Sequence, residues 1–109
     1  MREEIPSDIL EEWAAIGPIL DALGSEVRQD MLILLGAGDR ITIKGVADKF
    51  RISRSAVVHH LNTLQEAGII TSKKEGKEVI ISVNFGAMLS AVEKVKAYID
   101  KYGDKKKLD

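Results

Sequence analysis

The chain contains no cysteine. Disulfides, thiolate metal sites and cysteine catalysis are therefore excluded together, and a cytoplasmic location is the expectation. No apolar run is long enough to span a bilayer, and Met1-Arg2-Glu3-Glu4 does not open like a signal peptide. Histidine occurs only as the adjacent pair His59 and His60. No Ser-His-Asp set, acid pair or glycine-rich phosphate loop accompanies it, so no catalytic residue and no cofactor is expected. Repeats and low-complexity linkers are missing too. What is left is 109 residues, 45% hydrophobic and 30% charged, which describes an ordinary globular chain forming one domain over 1–109.

Acids are scarce where they matter most. The formal net charge is −1, but it is unevenly spread. Residues 1–24 set one arginine against six carboxylates, whereas residues 37–83 set eight bases against five acids. A local basic surface is what counterion release from nucleic acid requires, and a basic total is not.

The organising stretch is 42–68, TIKGVADKFRISRSAVVHHLNTLQEAG. Ile43, Val46, Ala47 and Phe50 recur at helical spacing, which predicts a helix over 43–50 with Thr42 as its cap. Ala56, Val57, Leu61, Leu64 and Ala67 predict a second helix, capped by Ser53 and stopped by Gly68. Two short helices across a tight turn make a helix-turn-helix. The outer side of the second carries Arg54, Ser55, Val58, His59 and Asn62, with no acid before Glu66. Such a face suits a major groove, although a solvated helix surface would use similar residues.

Before this stretch, Ile9, Trp13, Ile16, Leu20 and Leu23 form a stripe that predicts a helix over 7–23, capped by Ser7 or Asp8. Gly17-Pro18 predicts either a bend or two abutting helices. Trp13, the only tryptophan, belongs to the core or to a subunit interface. Ser25 caps a second helix containing Val27, Met31, Leu32, Leu34 and Leu35, with Arg28 and Gln29 facing outward. Arg40-Ile41-Thr42 is a strand stub. After Gly68 the period falls to two: 69–74 and 77–83 flank Glu75-Gly76 as a hairpin turn, with Val79, Ile81 and Val83 on one face. Lys73, Lys74 and Lys77 gather near the tip, where they would meet phosphates or merely protect an edge strand. Phe85, Met88, Leu89, Val92, Val95, Ile99 and Tyr102 predict a last helix over 85–102, followed by a frayed charged tail.

This order resembles the ArsR-type (ArsR/SmtB) winged-helix repressors, from about Ile16 to Tyr102. The match is most specific at Ala22-Leu23-Gly24-Ser25-Glu26-Val27-Arg28, similar to the family's AL-x-x-x-x-R. It is also specific at Ser53-x-x-x-Val57-x-His59-His60-Leu61-x-x-Leu64-x-x-Ala67-Gly68-Ile69-Ile70, with Val58 where relatives often have serine. The resemblance implies a mainly α fold with a small β-hairpin, a winged helix-turn-helix in the order α-α-(β)-α-α-β-β-α. It implies a homodimeric repressor joined through helices 7–23 and 85–102, with Ile9, Trp13, Ile16, Leu20, Leu89, Val92, Val95, Ile99 and Tyr102 at the seam. Arg51, Ser53, Arg54, Ser55, Val58, His59, His60, Asn62, Lys73, Lys74 and Lys77 become the candidates for contact with a near-palindromic double-stranded operator. The other function class is a winged-helix module for protein–protein association.

Metal-sensing relatives place a Cys-x-Cys at the start of the helix-turn-helix and Asp, His, His and Glu along the last helix. The matching positions here look like Thr42 and Lys44, and Phe85, Ala87, Tyr98 and Lys101. None is a competent ligand for a soft or borderline divalent metal, and His59 and His60 point about 100° apart on a helix. No metal site is expected. An effector of another kind would bind at the seam of the terminal helices or at Gly17-Pro18.

Overall fold

The computed structural model describes residues 4–38 and 41–106. Its elements are α1 (Ser7–Leu23), α2 (Glu26–Ala37), β1 (Ile41–Thr42), α3 (Ile43–Lys49), α4 (Arg54–Glu66), β2 (Ile70–Glu75), β3 (Glu78–Val83) and α5 (Phe85–Lys106). The fold is mostly helical with a small antiparallel sheet. No described helix is long and apolar enough to cross a membrane. The expected strand residue Arg40 and the end of the tail, 107–109, lie outside the described residues.

Local chemistry starts and stops most of these elements. The hydroxyls of Ser25, Thr42 and Ser53 accept the amides of Arg28, Gly45 and Ala56, each satisfying a first-turn donor that the helix cannot. At the far end of α4, Ile69 N donates to Leu64 O and Gly68 N donates to Gln65 O. That pair of bonds is a Schellman close, and it requires the positive φ of 79° that Gly68 supplies.

Three expectations need correction and one is narrowed. No side chain caps α1: its N-cap is Pro6, whose carbonyl accepts from Ile9 and Leu10, so neither Ser7 nor Asp8 is used. Of the two readings of Gly17-Pro18, that of two abutting helices is ruled out, since Pro18 lies inside one continuous helix. The hairpin turn is Gly76-Lys77, one residue later than Glu75-Gly76, because Glu75 is paired across the ladder with Glu78. The last helix continues four residues past Tyr102, through Gly103, to Lys106.

The strand stub gains its place through tertiary pairing. Ile41 and Thr42 stand opposite Ile81 and Ile80, giving a three-stranded sheet in the order β1-β3-β2. Ile69, Ile70 and Ile81 carry this sheet into a core made with Ile16, Ile19, Ala22, Met31, Leu35, Val46, Val57, Leu61 and Leu64. Asn84 fastens the return from the hairpin. Its amide donates to Ile69 O at 2.7 Å, its side chain donates to Gly68 O at 3.2 Å, and its Oδ1 accepts from Ala87 N at the start of α5.

Candidate nucleic-acid interface

Helix α4 is held from below and bare on top. Val57, Leu61 and Leu64 are buried, which turns Arg54, Ser55, Val58, His59 and Asn62 outward, all exposed. Arg54, Val58 and Asn62 follow one another at steps of four, and Ser55 and His59 run beside them, so the five share one face. Ser53 and Arg51 are exposed at the turn before it. The Ser53 hydroxyl is partly committed, since it caps the helix and lies 3.1 Å from Ser55 Oγ.

His60, a candidate for DNA contact that the sequence left open between the DNA and the core, does not share this exposed face. It is half-buried, and its Nδ1 lies 3.2 Å from a terminal nitrogen of Arg28 on α2. Burial first, then the charge of Arg28, then that of His59, hold its pKa below the ordinary 6.5. Arg28 is likewise turned inward, contrary to its expected outward position: it reaches the last carbonyls of α1 at Ala22 and Asp21. Sequence spacing could not reveal this contact, because the partners stand 32 residues apart.

The wing flanks the helix. Ser72 Oγ donates to Gln65 Oε1 at 3.0 Å, tying β2 to α4. Lys73, Lys74 and Lys77 are exposed. Within the ladder Lys73 faces Ile80 and Lys74 faces Val79, so the two lysines lie on opposite faces. Lys77 instead joins Arg54 of α4 and Lys44 of α3 around a cleft of about 370 Å³, with Thr42, Ile43, Glu78 and Val79 completing its wall. The sequence allowed Lys44 either to flank DNA or simply to be solvated, and only the folding of three elements together gives it this company.

Among the expected seam residues, Leu20, Leu89, Val92 and Ile99 are exposed. Ile9, Trp13, Val95 and Tyr102 are half-buried in the protomer. Ile16 is only 2% exposed and belongs to the protomer's own core, so its assignment to the seam is corrected. Trp13 meets Tyr98 of α5 edge-on, with ring centroids 5.5 Å apart, and Tyr98 continues to Tyr102 at 5.1 Å. Ile5, Ile9, Leu10, Trp13 and Tyr98 line an open apolar hollow of about 380 Å³. Phe85 and Ile33, absent from the expected seam, are also exposed: helical periodicity ranks faces by content and cannot say which faces the fold will cover.

A helix-turn-helix with an acid-free outer face, followed by a β-hairpin, defines a winged helix-turn-helix protein. Comparison with known proteins narrows the class. A family model described as a helix-turn-helix domain matches residues 23–73. The transcriptional repressor SdpR of Bacillus subtilis (strain 168) is 29% identical over 83 residues, covering 76% of this chain and 91% of that protein. YuzN of the same organism, an uncharacterized HTH-type transcriptional regulator, is 31% identical over 61% of this chain and 78% of its own. An ArsR-like transcriptional regulator from Rhodococcus sp. RHA1 shares the fold, with a TM-score of 0.78 at 24% identity over 85% of this chain and 87% of that one. So does the homodimeric winged helix-turn-helix DNA-binding domain of Mb0332 from Mycobacterium bovis, with a TM-score of 0.61 at 21% identity over 89% and 88% of the two chains. This chain belongs to the ArsR-type winged helix-turn-helix transcriptional regulators, a family of DNA-binding proteins and not of enzymes.

Proposed function

We propose that the chain is a homodimeric repressor, acting in the cytoplasm, that lays α4 in the major groove of a near-palindromic operator and its wing along the phosphates. The observation that carries this reading is the outer face of α4, where Arg54, Ser55, Val58, His59 and Asn62 are exposed without an acid among them. Arg54 offers the forked donor that suits guanine, Val58 an apolar contact for a thymine methyl, and Asn62 and His59 further polar groups. Lys44, Lys77 and the wing lysines fit the phosphates on either side.

Dimerisation is supported by what α5 leaves uncovered. Phe85, Leu89, Val92 and Ile99 are 62%, 58%, 61% and 46% exposed, large apolar side chains at helical spacing that an isolated protomer would show to water. The radius of gyration, 17.0 Å, exceeds the roughly 13 Å of a compact chain this long, in keeping with a shape that is completed by a second copy. A two-fold axis would set the half-sites about one helical turn (roughly 34–36 Å) apart, or a multiple of it. Thr42, Lys44, Phe85, Ala87, Tyr98 and Lys101 offer no suitable ligand set, so the regulator is read as answering to something other than metal at those positions.

Fluorescence anisotropy with selected and random duplexes at two salt concentrations tests the DNA reading. Specific binding with a steep salt slope is expected. Arg54→Ala combined with His59→Ala should weaken it by about 1–3 kcal/mol or more. Unchanged affinity in that double variant, or no preference for any duplex, would leave a protein–protein module as the better reading.

A further inference from the structure

Arg28 is the residue in which three helices meet. It stands in the first turn of α2, donates through Nε to Ala22 O at 2.7 Å and through one terminal nitrogen to Asp21 O at 3.3 Å. Both carbonyls belong to the last turn of α1, where the helix dipole favours a cation; Asp21 O also accepts from Gly24 N at 3.1 Å. The other terminal nitrogen lies 3.2 Å from Nδ1 of His60 on α4. One planar fork thus holds the end of α1 and the side of α4 at a fixed distance.

Its chemistry also sets the state of the imidazole. Arginine has donors only, so this contact is a hydrogen bond only when Nδ1 carries no proton. The neutral ring must then hold its proton on Nε2. A second proton on Nδ1 would place N–H against N–H and one positive charge against another. We propose that Arg28 is a positioning residue that sets α4 relative to α1 through a neutral, Nε2-protonated His60, and that uptake of a proton by His60 releases the bracket and weakens DNA reading. The functional half rests on α4 being the helix that contacts DNA.

The groups around His60 agree in direction. Burial, Arg28 from α2 and His59 from α4 all disfavour the charged ring. Helix α1 contributes carbonyls, those of Asp21 and Ala22, to Arg28 itself. His59 needs separate treatment: it lies on the exposed face, where a charged ring would be attracted to phosphate. The pH profile is therefore to be measured in a His59→Gln background.

Two measurements separate the bracket from the DNA reading. The first is NMR of the isotopically labelled, DNA-free protein, following the His60 ring from about pH 8 to about pH 5. The Nε2-protonated tautomer is expected, with a pKa below 6.5 that rises when Arg28→Met removes the neighbouring charge. A ring protonated on Nδ1 at neutral pH, or a titration indifferent to Arg28→Met, overturns the proposal. The second is duplex affinity by anisotropy. His59→Gln should lose roughly three- to tenfold in affinity on acidification, the scale of one hydrogen bond. Adding His60→Asn, whose amide oxygen can accept from Arg28 and never ionises, should keep the neutral-pH affinity and flatten the profile. Adding Arg28→Met should lower affinity at neutral pH by a similar factor and flatten it as well. An acid-induced loss that persists in His60→Asn overturns the switch. If the unaltered protein binds no duplex at any pH, the DNA reading and the functional half fall together, while the NMR result still decides the bond.

Discussion

Helices α4 and α5 look alike as sequences and are used in opposite ways. Each carries large apolar residues at steps of three and four. In α4 those residues, Val57, Leu61 and Leu64, are buried inside the protomer and the polar side is left outward. In α5 the residue wholly inside is small. Ala91 is buried, with Ala87, Met88 and Val95 packed against the core, while Phe85, Leu89, Val92 and Ile99 remain exposed. Alanine at the buried position allows α5 to lie close to its neighbours, and these four large residues on its other side stay open to water. The comparison teaches that a hydrophobic stripe marks a contact without saying with whom. The polar remainder of α4 suits a charged partner; the apolar remainder of α5 suits an apolar one.

The most direct way to break this comparison is to cut the same residue type in both helices. Leu61→Ala should destabilise the protomer by about 2–5 kcal/mol, as a cavity in a packed core does. Chemical denaturation would read this directly. A loss below 1 kcal/mol (about the cost of an ordinary surface change) would mean that α4 is not anchored as described.

Next in size is Leu89→Glu together with Val92→Glu. Each lost side chain should take about 1.5–3 kcal/mol from association, and sedimentation should show a monomer at micromolar concentration. The melting of that monomer should stay cooperative. A dimer that survives both charges would remove α5 from the seam.

Lys77→Ala sharpens the polar side of the comparison. It should weaken all duplexes nearly equally and reduce the slope of log affinity against log salt by about one. A change confined to one operator position would instead make Lys77 a reader of bases.

The smallest effect concerns His60. Its folded-state pKa is lowered, so the fold prefers the neutral ring. Its contribution to stability is complete above 6.5, the ordinary value, and is lost as pH falls from there through the lower folded-state pKa. Denaturation at pH values on either side of that window should show a modest loss on the acid side, absent in His60→Asn. A loss on the alkaline side would reverse the sign and contradict the geometry at Arg28.

Caps and stops were legible because each lies within a few residues of the helix it serves. Ser25, Thr42 and Ser53 each accept an amide three residues on, and Gly68 closes α4 within its own turn. The hairpin was legible as two runs of period two, but its turn was misplaced by one residue. Glu75 and Gly76 look like a turn locally, whereas the pairing of all six β2 residues with β3 sets the register. Ile16 was placed at a seam because periodicity puts it on the same stripe as Trp13 and Leu20. Only packing against α2 and α4 shows that it is the part of the stripe the protomer covers for itself.

The sequence by itself determined the helices, the caps at Ser25, Thr42 and Ser53, the stop at Gly68, the hairpin, the acid-poor face of α4 and the absence of cysteine at Thr42 and Lys44. These depend on backbone groups and side chains within about one turn of each other, a range in which composition and spacing suffice. The tertiary structure alone decided the rest. It paired Ile41 and Thr42 with β3, brought Lys44, Arg54 and Lys77 to one cleft, left Phe85, Leu89, Val92 and Ile99 of α5 bare, and set Arg28 against His60. Those relations join residues far apart in the chain, and they exist only once the core has fixed the distances between helices.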